Sequence, residues 1–103
     1  MLGIRDNPWF FESVPRCIQL HSEISAKCSR ERSSVYSDDF FSSYGDLVNV
    51  HLVDLSDEYC SAGTCPPYKN NILMYRDSHH LSTTYTFTLK DILEKEISVA
   101  LHR

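Results

Sequence analysis

Apolar and polar positions change their period several times along this chain, and each change predicts an element. "MLGIRDNPWF" begins with apolar residues around Gly3 and passes into a polar turn closed by Pro8, the pattern of the last residues of a strand. In "SVPRCIQLHSEISAKC", Pro15 suits a first helical turn, and Cys17, Ile18, Leu20 and Ile24 make an imperfect apolar face, which predicts a short helix. Phe40, Phe41, Tyr44 and Leu47 recur at helical spacing. "VNVHLVDL" then alternates and is rich in β-branched residues, so a strand is expected over 48–55. A loop from Cys60 to Pro67 leads to "NILMYRD", a more continuously apolar run that reads as a second strand over 71–77. A helix follows from Ser82, an N-cap residue type, with Tyr85, Leu89, Ile92, Leu93, Ile97, Ala100 and Leu101 on one face.

Helix, strand, loop, strand and helix in this order favour an α/β arrangement with parallel strands buried on both faces. Sites in such sheets form at the carboxyl ends of strands. That places "YRDSHHLS", Tyr75 to Ser82, where chemistry sits. An Asp on a strand-end turn can orient the ring of a His three residues later through one nitrogen, leaving the other as a base. The alternative is a polar strand-to-helix turn with no chemical role. Other candidates carry less. His51 stands beside Asp54 in a strand and reads as a satisfied structural residue, and His21 and His102 have no partner in view. Adjacent histidines point in different directions on an extended backbone, so Asp77, His79 and His80 are not expected to hold a metal, and no cofactor is expected. Trp9, Phe10 and Phe11 read as core packing.

Charge and cysteines narrow the class. Fourteen acidic against ten basic residues give a net charge of −4, which argues against nucleic acid as a partner. No apolar run approaches the ~20 residues that span a bilayer, and Arg5 and Asp6 interrupt the N-terminus before a signal-peptide core can form. Four cysteines in 103 residues permit three pairings. The favoured one, Cys17 with Cys28 and Cys60 with Cys65, closes two small loops, as in proteins of oxidising compartments. Zinc ligation and free thiols are the alternatives. A chain with exported-type cysteines and no export signal is expected to be a piece of a longer exported protein.

"DSHHLS" fits the Asp-x-x-His-Leu-Ser/Thr block that closes the catalytic domain of SGNH hydrolases and esterases. With "GIRDNP", the cysteines of "VPRCI" and "AKCSR", "VHLVDLSDEYC" and "CPPY", nearly all of the chain resembles the C-terminal half of the SGNH domain fused to bacterial membrane acyltransferases of family three. The resemblance implies an α/β fold over residues 1–103: the C-terminal portion of a three-layer SGNH-type domain with a parallel sheet flanked by helices. It also implies a periplasmic location, a membrane acyltransferase domain as partner, and acylated surface glycans such as lipopolysaccharide as substrate. Asp77 then corresponds to the orienting acid and His80 to the general base of a Ser-His-Asp triad, while His79 falls on a variable position. "GIRD" resembles the Gly-x-Asn-Asp block at Gly3 and Asp6, but Arg5 stands where the oxyanion-hole asparagine belongs. Arg5 either donates in its place or pairs with Asp6.

One block of the family is absent, because nothing in this chain matches its Gly-Asp-Ser nucleophile turn. Gly45-Asp46 is followed by Leu47, and Ser42, Ser43, Ser56, Ser61 and Ser78 read as solvated loop or helix-end residues. The implied function is therefore the Asp-His part of an O-acyltransferase or esterase site, inactive alone. In isolation the open, apolar edges of its parallel strands would invite association. A non-catalytic, disulfide-stapled interaction domain and a zinc domain built on the cysteines are the competing readings.

Overall fold

The computed structural model describes residues 1–22 and 26–102, so Ile24 of the expected first helix lies outside the described residues. Strand β1, Leu2–Ile4, pairs in parallel with β3, His51–Val53, in the register Leu2 to His51, Gly3 to Leu52 and Ile4 to Val53. The ladder continues at both ends, with the His51 amide donating to Met1 and the Arg5 amide to Val53. A Cβ at Gly3 would stand 3.1 Å from Leu52 Cδ2, so any larger residue there would press on the Leu52 side chain across the pair. The molecule is a mixed α/β structure in which this small parallel sheet is flanked by helices. Only three residues of "VNVHLVDL" form strand; Asn49 adopts a positive φ of 62°, and the alternation before it belongs to a turn.

Helix α1, Val14–His21, has Pro15 in its first turn as the sequence indicates, and Ser13 serves as its N-cap. Two short helices follow, α2 at Arg32–Val35 and α3 at Phe40–Tyr44. A two-stranded antiparallel ribbon joins β2, Arg30–Glu31, to β4, Thr64–Cys65, and α4, Ser56–Tyr59, precedes β4. Both cysteine pairs are disulfides in the local pairing, Cys17–Cys28 and Cys60–Cys65, and all four residues are buried. Zinc ligation by cysteine and free thiols are thereby replaced by two covalent loop closures.

"NILMYRD" departs from its expected form. Asn70 and Asn71 both adopt left-handed conformations, with φ of 53° and 62°, which makes a two-residue hairpin turn between β5, Tyr68–Lys69, and β6, Ile72–Leu73. The run is thus the arm of an antiparallel hairpin, and the parallel partner of β3 is β1. The apolar continuity has a different cause: Met74 and Tyr75 leave the hairpin and sink fully into the core.

That core joins Val14, Val53, Leu55, Tyr59, Met74, Tyr75, Tyr85 and Leu89, with Cys60 and Cys65, and so draws on α1, β3, α4, β4 and α5 together with the segment that follows β6. The last helical region is two helices, α5 at Thr83–Thr88, capped by the Ser82 hydroxyl, and α6 at Lys90–Leu101. Its apolar face is covered only at the beginning. Tyr85 and Leu89 are buried and Ile92 is partly so, whereas Ile97 is exposed and Leu101 is 77% exposed. Phe41, Tyr44 and Leu47 are likewise half-exposed, the last two beside β1. Both edges of the two-stranded parallel sheet are unpaired among the described residues. No helix of the described residues is long and apolar enough to cross a membrane.

Candidate functional site

Residues 76–80 form a loop pinched at its base. Tyr75 and Leu81 make an antiparallel bridge, the Arg76 amide donates to the His80 carbonyl at 3.0 Å, and the Ser82 amide donates to Met74 at 2.7 Å. Inside the loop Asp77 does what a short carboxylate does at a turn. Its Oδ1 accepts the backbone amides of His79 at 2.9 Å and His80 at 2.7 Å.

The other carboxylate oxygen, Oδ2, is 2.7 Å from His80 Nδ1. One residue therefore shapes the loop with one oxygen and aims the imidazole with the other. Those two amides, followed by the His80 ring, hold the Asp77 carboxyl well below the usual carboxylate range. An ionised Asp77 accepts the Nδ1 proton, which fixes the tautomer that presents Nε2 as an acceptor. Nε2 forms no hydrogen bond with any described residue. The pair is half-exposed, so the free nitrogen can be reached by a hydroxyl from outside the loop.

The N-terminal segment holds this loop from without. Phe10 donates its amide to the Ser78 carbonyl at 2.7 Å, Val14 to that of Asp77 at 3.3 Å, and Asn7 Nδ2 to that of His79 at 2.8 Å. Trp9 lies flat on the His79 ring, centroids 4.2 Å apart, and its Nε1 is tied to Asp6 Oδ2 at 2.9 Å. Trp9 is 54% exposed and Phe11 89% exposed, so only Phe10, edge-on to Tyr75, serves the core as expected of this trio. The tie to Asp6 and the stack on His79 keep Trp9 at the surface. A cleft of about 400 Å³ lies over His79 and His80, and a second of about 480 Å³ runs past Arg5 and Arg30; Asp6, Asn7 and Trp9 line both. Asn7 and Trp9 were not singled out from the sequence as site residues. Their proximity to the Asp-His block was the missing signal, and it exists only in the folded chain.

Arg5 is engaged elsewhere. It pairs with Asp54 at 3.1 Å rather than with Asp6, donates to the Ser37 carbonyl, and lies over the rings of Tyr36 and Phe40. Burial pushes the Asp54 carboxyl upward, but the hydrogen bonds from Ser56 and the contact with Arg5 outweigh it and hold the carboxyl low. Asp6 instead accepts from Trp9 and from the Asn7 amide, and its carbonyl accepts the Tyr36 hydroxyl at 2.8 Å.

The serines also differ from expectation in one case. Ser56 is buried at the start of α4, where its hydroxyl accepts from Arg32 at 2.9 Å and its amide donates to Asp54 at 2.9 Å. Ser42 and Ser61 bond to nearby backbone, and Ser78 Oγ is 3.0 Å from His79 Nδ1. None of them is bonded to His80. His51 is tied to Glu96 of α6 at 3.0 Å, a strand-to-helix pair as its position suggests. The two adjacent histidines do not diverge: their rings are 4.1 Å apart and tilted by 38°.

Compared with known protein families, residues 2–95 match the family described as SGNH domain (fused to AT3 domains). Comparisons with curated proteins and with solved structures gave no match.

Proposed function

From the premise that this chain belongs to the family of SGNH domains fused to AT3 domains, we propose that it supplies the acid-base half of an acyl-transfer site, with His80 as general base and Asp77 as its orienting carboxylate. The observation that carries this reading is the 2.7 Å bond from Asp77 Oδ2 to His80 Nδ1, made by a carboxylate that two loop amides keep ionised. The nucleophile is a serine of a Gly-Asp-Ser block, which this chain does not contain. It comes from a complementary part of the SGNH domain, and the unpaired edges of the β1–β3 sheet are where further parallel strands would add.

In this scheme the serine hydroxyl attacks the acyl carbonyl as its proton passes to His80 Nε2, and Asp77 stabilises the imidazolium. Collapse of the tetrahedral intermediate expels the leaving oxygen, which takes the proton from His80. An acceptor hydroxyl then gives its proton to Nε2 as it attacks the acyl-serine, and His80 returns that proton to the serine oxygen as the acyl group leaves it. A glycan hydroxyl makes the reaction an O-acyl transfer, and water makes it ester hydrolysis. The membrane acyltransferase domain implied by the AT3 fusion is the proposed acyl supplier, and acylated surface polysaccharide on the periplasmic side is the proposed substrate. The two disulfides fit that oxidising compartment. Arg5 is not assigned to the oxyanion hole, because one of its terminal nitrogens is bonded to Asp54 and the other to the Ser37 carbonyl, while its planar head lies over Tyr36.

The test is labelling by a serine-reactive fluorophosphonate. Mixed with a complementary SGNH segment bearing Gly-Asp-Ser, this chain should raise labelling of that serine well above the segment alone. Equal labelling with and without the chain contradicts the proposal.

A further inference from the structure

We propose that Asp77, His79 and His80 together form a binding site for a divalent cation of the zinc class. Their donor atoms, one carboxylate oxygen and one nitrogen from each ring, all lie within 4.8 Å of one another, and all three residues are partly exposed. Two imidazoles and a carboxylate are the ligand types zinc takes, with remaining positions filled by water. Side-by-side histidines usually fail as a pair because their rings separate. Here the ring centroids stay 4.1 Å apart with the planes tilted by only 38°, and Trp9 stacks on the His79 ring at 4.2 Å.

The cluster is also braced. Asp77 is fixed by two amides, and the His79 ring is held by Ser78 Oγ at 3.0 Å, so little ordering remains when a cation arrives. The other described group of this kind, Glu12, Cys17 and His21, has no free thiol because Cys17 is disulfide-bonded. The site gives His79, which has no part in the acyl-transfer scheme, a chemical role.

Binding stands independently of the proposed catalysis, but its consequence rests on that reading. A cation on His80 Nε2 occupies the lone pair that would accept the serine proton, and a cation on Nδ1 displaces the hydrogen bond to Asp77. Either way, zinc acts as a reversible inhibitor.

The experiment is isothermal titration of zinc chloride into the untagged chain, with the emission of Trp9, its sole tryptophan, followed in parallel. One zinc per chain is expected, with a change in Trp9 emission. His79→Ala and His80→Ala should each weaken binding by about tenfold or more while circular dichroism stays unchanged, and His102→Ala should bind as the parent does. Absence of zinc uptake, or loss in only one or neither of the two variants, overturns the shared site. Zinc that binds as expected yet leaves reconstituted acyl transfer untouched counts against His80 as the base.

Discussion

Asn7 and His79, 72 positions apart in the chain, are joined by a 2.8 Å hydrogen bond from the Asn7 side-chain amide to the His79 carbonyl. Asn7 also reaches the Pro8 carbonyl at 3.0 Å, so a single amide fastens the first turn of the chain to the loop that carries Asp77 and His80. Asn7→Ala should cost about 1 kcal/mol of stability, the usual worth of such a bond. Amide exchange at His79 and His80 should quicken more than exchange at Tyr75, which is anchored in the core. Uniform exchange across the chain would show that Asn7 does not hold this loop.

Asp77 gives the fold an acid-side dependence whose sign is fixed. Its carboxyl titrates lower in the folded chain than in the unfolded one, because the amides of His79 and His80 prefer the ionised form. The stabilisation is therefore complete above the unfolded value near pH 4 and is lost as pH falls through the lower folded value. Acid unfolding followed by Trp9 emission should show this loss in the parent. In Asp77→Asn the curve should be flatter over that range. Parallel curves for the two proteins would contradict the assignment.

The disulfides should be worth about 2–3 kcal/mol each, from the loops they close. Cys17 and Cys28 are separated by 11 residues and Cys60 and Cys65 by 5, so the first should contribute slightly more. Urea unfolding with and without reductant measures the sum, and paired Cys→Ala variants separate the two. Non-reduced peptide maps should show only the local pairs.

Tyr75 and Tyr85 are both buried core tyrosines with opposite expected responses. The Tyr85 hydroxyl donates to the Glu58 carbonyl, whereas the Tyr75 hydroxyl is buried without a hydrogen-bond partner among the described residues. Burial pushes the Tyr85 phenol up to about 12 and raises that of Tyr75 further. Tyr75→Phe should be neutral or stabilising, and Tyr85→Phe should cost about 1 kcal/mol. Thermal unfolding of the two variants decides it.

Local chemistry made much of this fold legible. Pro15 marked the first turn of α1, Ser82 marked the start of α5, and the cysteine spacings marked both disulfides. The hairpin was hidden because Asn70-Asn71 sits at the edge of an apolar run, and continuity of that run outweighed the turn signal. The Asp77-His80 pair was readable because its geometry is local, three residues and one turn. The surroundings of that pair were not, because Asn7, Trp9 and the Arg5–Asp54 bridge depend on contacts between distant parts of the chain. A sequence period shows which face of a helix is apolar but not how far that face is covered, and so the exposed end of α6 at Ile97 and Leu101 was not foreseen.

His80, oriented by Asp77, is proposed as the base of an acyl-transfer triad whose serine lies outside this chain. The most direct measurement is acyl release from an activated acetyl ester by this chain combined with a complementary SGNH segment carrying Gly-Asp-Ser. His80→Ala should lower kcat by on the order of 10⁴-fold or more, Asp77→Asn should also be severe, and His79→Ala should be far milder. The chain alone should release nothing above background. Full activity in His80→Ala, a collapse in His79→Ala alone, or turnover by this chain without the added serine would contradict the account.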